Sequence, residues 1–308
     1  MTIPDRFVLS VDQRDLPLAV PFAAAAILFG LLVALAWPAS AAPAAAVARD
    51  PACAASLAAA NTQGDDLRVL GCDPAGRGLA VVALGDPATA RSVAVIVPGS
   101  DTDLHSIAKP LSWARALRAA AGPDTAVVVW VGYRTPQGLG LDAASGAPAR
   151  AAAPALDTFV ESVRAAHVAG PPHLTVVAHS YGAVVAALAA PDLDADDLVL
   201  LASPGARADD VADLHTRAHV FAARAPADWM RWVPSIEIGD LGHGADPASP
   251  SFGATLLPTT GVTAHDRYLA PGSATLDAVA AVASSPDAAV ASSPEATVTS
   301  SPAAAVAA

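Results

Sequence analysis

Positive charge is scarce in this sequence. Lys109 is the only lysine, and 17 basic residues stand against 29 acidic ones, for a formal net charge of -12. No basic face is available to neutralise a phosphate backbone, which excludes the electrostatic footprint of a nucleic-acid binder. The same acidity disfavours attachment to anionic lipid headgroups by charge alone. Cysteine is nearly missing: only Cys53 and Cys72 occur, and no nearby histidine or third cysteine completes a zinc site. Long apolar runs are equally rare. Only one stretch is long enough to cross a bilayer, which needs roughly 20 apolar residues, so a polytopic membrane protein is excluded. Hydrophobic residues are 54% of the chain, but much of that is alanine, so the figure reflects small side chains as well as an apolar interior.

The single run, Pro21 to Trp37 (PFAAAAILFGLLVALAW), precedes small residues around Ala39-Ser40-Ala41 that fit a signal-peptidase site. No polar stripe at helical period interrupts it, which argues against an amphipathic core helix. Asp5, Asp12 and Asp15 offset Arg6 and Arg14 in the preceding segment, so the positive bias of a leader is weak. Both a cleaved signal peptide and an uncleaved membrane anchor stay open for residues 1–47, and either places the rest outside the cytoplasm. In an oxidising compartment Cys53 and Cys72 read as a disulfide within an N-terminal extension, residues 48–78. From Ser284 onward SSPDAAVA, SSPEATVT and SSPAAAVA repeat. These units hold too little apolar surface to offset the entropy of ordering, so residues 283–308 are expected to be a disordered tail.

Between the ends, residues 79–282 alternate short β-branched runs with amphipathic helical stretches, the pattern of a mostly parallel sheet covered by helices on both faces. Strands are expected at Leu79–Leu84, Ser92–Val97, Thr125–Val131, Leu174–Ala178, Leu198–Ala202, His219–Ala223 and Ala254–Leu257. Helices are expected at Ser106–Ala120, Ala153–Val168, Ala183–Ala190 and Ser273–Val282. Ligands bind at the C-terminal ends of strands in such α/β sheets, so polar residues there carry the functional reading.

His179-Ser180-Tyr181-Gly182 follows the strand LTVVA and opens the helix-forming AVVAALAA. A serine between strand and helix, with Ala178 and Gly182 small enough for close approach, has the context of a nucleophile on a sharp turn. The helix N-terminus behind it offers partial positive charge and free N–H groups to a developing oxyanion. A second donor is expected from the glycine-containing loop Pro98-Gly99-Ser100-Asp101, through the Ser100 N–H paired with that of Tyr181. The bland alternatives are a serine that only caps a helix and an ordinary turn capped by Asp103. Chain order Ser, then acid, then His selects Asp228 after the strand HVFAA, with Asp209 and Asp210 as runners-up. For the base the candidates are His265, in TAHDRY, and His243, in GDLGHG. His179 is read as structural. Gly99, Tyr133 and Trp229 are candidates to line a substrate pocket, with Trp130 beside them, although aromatics at strand ends are as often plain core.

These residues resemble a known superfamily. Ala178-His179-Ser180-Tyr181-Gly182 looks like the G-x-S-x-G elbow of the α/β-hydrolase fold, with alanine in place of the first glycine. The ordered segments PGSDTD, WVGYRTP, AHSYG, SPG, ADWMRWVP, GHGADPASPSFGA and HDRYLAPGS resemble its bacterial family eight, formerly a domain of unknown function. The resemblance implies an α/β-hydrolase fold with a Ser-Asp-His triad, here Ser180, Asp228 and His265, and no settled substrate. The resulting expectation is a serine hydrolase without cofactor or metal, acting on a small-molecule or lipid ester. The rivals are an acyltransferase on envelope lipid or glycan and a non-catalytic envelope protein that keeps only the fold.

Overall fold

A computed structural model describes residues 47–61, 63–168 and 170–285. The apolar run 21–37 and the repeats beyond residue 285 lie outside the described residues, and so do the leader, anchor and tail read from them. Among the described residues no helix is long and apolar enough to cross a membrane.

In chain order the principal elements are α1 (Pro51–Ala59), β1 (Leu67–Asp73), β2 (Leu79–Leu84), β3 (Ser92–Val97), α2 (Ala108–Ala121), β4 (Thr125–Val131), α3 (Leu141–Ala144) and α4 (Ala147–Ala166). They continue with β5 (His173–His179), α5 (Tyr181–Ala189), β6 (Asp197–Leu201), β7 (His219–Ala223), β8 (Glu237–Ile238), β9 (Leu241–Gly242), β10 (Thr255–Leu256) and α6 (Ala274–Ser284). Eight strands form one sheet in the order β1-β2-β4-β3-β5-β6-β7-β10, and β8 and β9 make a separate hairpin. β2 pairs antiparallel with β1 and β4, and every other pairing in the large sheet is parallel. This is the mostly parallel sheet that the strand pattern implies.

The period-2 alternation of a strand decides which helices each residue meets. Val93, Val95 and Val97 of β3 join the core beneath α4 and α5, where Ala149, Leu156, Val160 and Val184 are buried. Ala94 and Ile96 of the same strand face the other core, with Trp113 and Leu117 of α2 and Val279 of α6. A sheet clothed on both faces explains why β3 and β4 are buried along their whole length and apolar after the first residue of each.

Besides the short elements α1, α3, β8 and β9, which the sequence pattern does not announce, α4 and β1 depart from the sequence expectation. α4 begins at Ala147, six residues earlier than expected, and runs through Pro154. Proline removes one helical hydrogen bond, but Ala149, Ala152, Ala153 and Ala155 are buried against the sheet and offset that loss. β1 lies inside the segment read as an extension and forms the edge of the main sheet, with a register shift between Val69 and Gly71 that breaks the alternation a strand would show. The disulfide Cys53–Cys72 ties α1 to this edge strand, with Cα atoms 5.8 Å apart. Reduction, or Cys72→Ala, is expected to lower stability by about 3 kcal/mol through the released loop, as read by denaturant melts with and without reductant.

The end of the sheet away from the strand tips carries a titratable cluster. His173 Nε2 lies 2.9 Å from Asp197 Oδ2 and 3.0 Å from the Val282 carbonyl, and its Nδ1 is 3.7 Å from Asp196. Arg164 also engages Asp196, and His219 faces Asp197 at 3.5 Å. Burial pulls the His173 pKa down, but the Asp197 hydrogen bond, the Val282 carbonyl and the two carboxylates outweigh it, so the net shift is upward. A histidine raised in the folded state contributes stability that is fully present below its unfolded pKa of about 6.5 and is lost as pH rises through the folded value. Denaturant midpoints should therefore fall across neutral pH for the wild type more steeply than for His173→Gln.

Candidate active site

Ser180 sits between β5 and α5 with φ 57° and ψ -128°, a conformation that costs a non-glycine residue about 1–3 kcal/mol. The bend is held by the Ser180 N–H, which donates to the Leu201 carbonyl at 2.9 Å, and by the Ala183 N–H, which donates to the Ser180 carbonyl at 2.9 Å. Two glycines are obligatory here for space. A Cβ on Gly182 would lie 2.2 Å from the Val97 carbonyl oxygen, and one on Gly99 would lie 2.8 Å from the Ser180 Cβ and 2.9 Å from the Tyr181 nitrogen. The β3 loop therefore packs backbone to backbone against the turn.

The hydroxyl of Ser180 donates to His265 Nε2 at 2.9 Å. His265 Nδ1 donates to Asp228, with its two carboxylate oxygens at 2.9 and 3.0 Å. Asp228 lies just past β7, is 1% exposed, and caps the 3₁₀ turn Trp229–Trp232 by accepting from the Met230 N–H at 2.9 Å. Tyr268 donates a further hydrogen bond to Asp228 at 2.7 Å and accepts one from the Ala225 N–H at 2.8 Å. Burial alone would raise the Asp228 pKa. The donors His265, Met230 and Tyr268 and the adjacent imidazole reverse this and hold it below the usual carboxylate range. The carboxylate is thus anionic where it meets the imidazole, as an orienting partner must be.

His179 braces this arrangement. Its Nε2 donates to the main-chain carbonyl of His265 at 2.6 Å, and its ring packs between Trp113 (4.9 Å) and His265 (4.8 Å). Burial and the neighbouring His265 lower its pKa to about 4, so it is neutral at ordinary pH. The loop carrying His265 is held again through Asp266, whose carbonyl accepts from Trp113 Nε1 at 3.2 Å and whose carboxylate pairs with Lys109 at 2.9 Å.

Ser180 is 9% exposed and opens into a cavity of about 720 Å³ that is also lined by Gly99, Ser100, Tyr181, Trp229 and His265. The Trp229 ring lies tilted beside His265, with ring centres 5.0 Å apart. Tyr133 does not line this cavity, which corrects the expectation that it does. It is buried, stacked on Trp130, and its hydroxyl donates to the Pro98 carbonyl at 2.7 Å, so it braces the glycine loop from behind. The same holds for Trp130, which is core. The Tyr181 side chain is also structural: its hydroxyl donates to the Ser145 carbonyl and accepts from the Ala149 N–H, pinning the start of α4. Only its main chain faces the glycine loop.

The competing candidates are engaged elsewhere. His243 donates from Nε2 to the Ala143 carbonyl at 2.8 Å and meets the Tyr181 ring edge-on, while burial lowers its pKa. Asp210 accepts from the Ala212 and Asp213 N–H groups to cap a 3₁₀ turn, and Asp209 lines a different, polar cavity. Among the described residues no group of three or more His, Cys, Asp or Glu side chains is placed to hold a metal ion. Sequence reasoning missed the parts played by Tyr268 and Lys109, whereas the structural reading of His179 agrees with its bracing contacts. Tyr268 stands three residues after His265, and that short spacing was the available signal.

Comparison with known proteins fits this architecture. The profile of a family described as alpha/beta hydrolase matches residues 73–238, more than half of the chain. The uncharacterized protein Rv2079 of Mycobacterium tuberculosis is 33% identical over 246 residues, covering 68% of this chain and 37% of its own length. Another uncharacterized protein of that organism, Rv0963c, is 35% identical over 140 residues, covering 41% of this chain and 52% of its own. The chain thus spans about a third to a half of these curated relatives. Among solved structures, esterase PE8 aligns with a TM-score of 0.45 at 21% identity, covering 66% of this chain and 96% of that one. With the profile match running from β1 through the turn that bears Ser180 to the hairpin strand β8, the chain belongs to the alpha/beta hydrolase family.

Proposed function

We propose that the protein is a serine hydrolase that cleaves a carboxylic ester. One observation carries the reading: an unbroken hydrogen-bond chain from the Ser180 hydroxyl through His265 to an anionic, buried Asp228. In the reaction His265 takes the Ser180 proton as the oxygen attacks the ester carbonyl. The Ser100 and Tyr181 N–H groups hold the oxyanion, and His265 passes the proton to the departing alcohol. Water, activated by the same imidazole, then releases the acid and restores Ser180. The strained backbone of Ser180 supports this role, since a residue kept at φ 57° by packed glycines is held there by its surroundings and not by its own preference.

The 2.9 Å contact between Ser180 and His265 favours catalysis over a binding protein that retained only the fold. The disulfide supports an extracytoplasmic location as part of the proposal. A fluorophosphonate probe is expected to label Ser180 at neutral pH. A folded protein that resists labelling, or a Ser180→Ala variant labelled equally, would overturn it.

A further inference from the structure

Ten large hydrophobic side chains stand exposed among the described residues, and they are not scattered. Leu139, Trp229, Ile236, Ile238 and Leu241 both line the Ser180 cavity and stand out in solvent, Leu139 at 77% and Ile238 at 73% exposure. Leu141 (54% exposed) and Trp232 (73% exposed) lie on the same segments but outside the cavity lining. Five of the ten therefore line one mouth and two more stand on the chain segments that form it, a concentration of exposed apolar side chains that folded proteins seldom leave without a use.

The surface is braced by polar contacts. Arg207, nearly buried, pairs with Glu237 at 2.7 Å and donates to the Gly242 carbonyl at 2.7 Å and the Gly239 carbonyl at 3.1 Å, so the β8–β9 hairpin is clamped from beneath. Asp240 binds Ser145 and Arg150, joining the hairpin to the segment that carries Leu139 and Leu141. An apolar tip on a polar clamp holds its side chains outward at no cost in core packing.

We infer that this rim docks on an uncharged lipid surface and that the ester is drawn from that surface into the cavity; the second half rests on the serine-hydrolase reading. A single acyl chain held in the cavity would be covered by the lining residues and would leave Leu141 and Trp232 unexplained, whereas a lipid surface takes in the whole patch. The Arg231 guanidinium lies 4.2 Å over the Trp232 ring, pairing a cation with an aromatic in the way that suits the boundary between headgroups and acyl chains. Charge selects the surface. The chain carries a net charge of -12, and at the rim Glu237 is neutralised by Arg207 while Asp142 beside Leu141 offsets Arg231 beside Trp232, so no basic excess is there to hold anionic headgroups and zwitterionic or neutral ones are favoured.

The test uses the full chain, phosphatidylcholine vesicles carrying a long-chain nitrophenyl ester, and a soluble short-chain nitrophenyl ester. Leu141→Ser with Trp232→Ser is expected to weaken use of the vesicle-borne ester by about tenfold per side chain while hydrolysis of the soluble ester is kept. Equal losses on both esters, or none on either, overturn the inference. Docking is read separately with brominated phosphatidylcholine in a Trp37→Phe background, where tryptophan emission should be quenched and a further Trp232→Phe change should remove part of the quenching. Quenching that the Trp232→Phe change reduces, without cleavage of either ester, supports docking and sinks the serine-hydrolase reading. Cleavage of the soluble ester with neither quenching nor a vesicle-dependent loss sinks docking alone. Replacing phosphatidylcholine by phosphatidylglycerol at low salt should weaken binding, and stronger binding there would overturn the choice of an uncharged surface.

Discussion

Ser180→Ala is expected to reduce nitrophenyl-ester turnover by about 10⁴- to 10⁶-fold, the range that loss of a triad nucleophile produces elsewhere. Alanine keeps the Cβ that Gly99 accommodates and removes only the oxygen that donates to His265 at 2.9 Å. The turn should survive, because the hydrogen bonds that hold it run through main-chain atoms: Ser180 N–H to Leu201, and Ala183 N–H to the Ser180 carbonyl. Unfolding midpoints should therefore stay near those of the wild type while turnover collapses, and steady-state kinetics beside a thermal melt separates the two. Turnover within tenfold of wild type in a folded sample would mean that another group attacks the substrate.

Asp228→Asn should lower kcat by about 10⁴-fold with a much smaller change in KM, as expected when the imidazole is left in the wrong tautomer. The geometry makes this substitution severe. Asp228 accepts from His265, from the Met230 N–H and from the Tyr268 hydroxyl, and an amide brings donors of its own into a site already filled by donors. The introduced amide must set its own N–H against either the Tyr268 hydroxyl or the Met230 N–H, and in both orientations that N–H also lies beside His265 Nδ1. The depressed pKa of Asp228 adds a stability effect with a defined sign. Its contribution is present above the unfolded carboxylate value of about 3.9 and is lost as pH falls through the lower folded value. Acid-unfolding profiles of wild type and Asp228→Asn should converge at low pH and separate above it. Tyr268→Phe, which removes one donor and leaves the carboxylate, should reduce kcat less than Asp228→Asn does.

Much of the fold was readable as pattern. Runs such as Ser92–Val97 and Thr125–Val131 coincide with β3 and β4 because a strand buried on both faces needs uninterrupted apolar residues, and few other structures tolerate them at that length. β1 escaped notice because Gly71 and its register shift spoil both periodicity and β propensity, and its place is given by pairing with β2. The early start of α4 escaped because a proline at position 154 reads locally as a helix start, while the burial that outweighs it is contributed by distant strands. Tyr133 failed as a pocket residue for the same kind of reason: position at a strand end does not say which way a ring turns.

Local sequence determined the strand–serine–helix junction at 178–182, the small residues that let it form, and the order in which acid and histidine follow, since each depends on neighbours in the chain or on residue size. The tertiary structure alone decided that His265, 85 residues beyond Ser180, reaches it at 2.9 Å and that His243 does not. It also decided that a tyrosine supports the acid and that dispersed leucines, isoleucines and tryptophans meet around one opening. Distances between residues far apart in the chain are set by how loops leave the sheet, and no local preference encodes them.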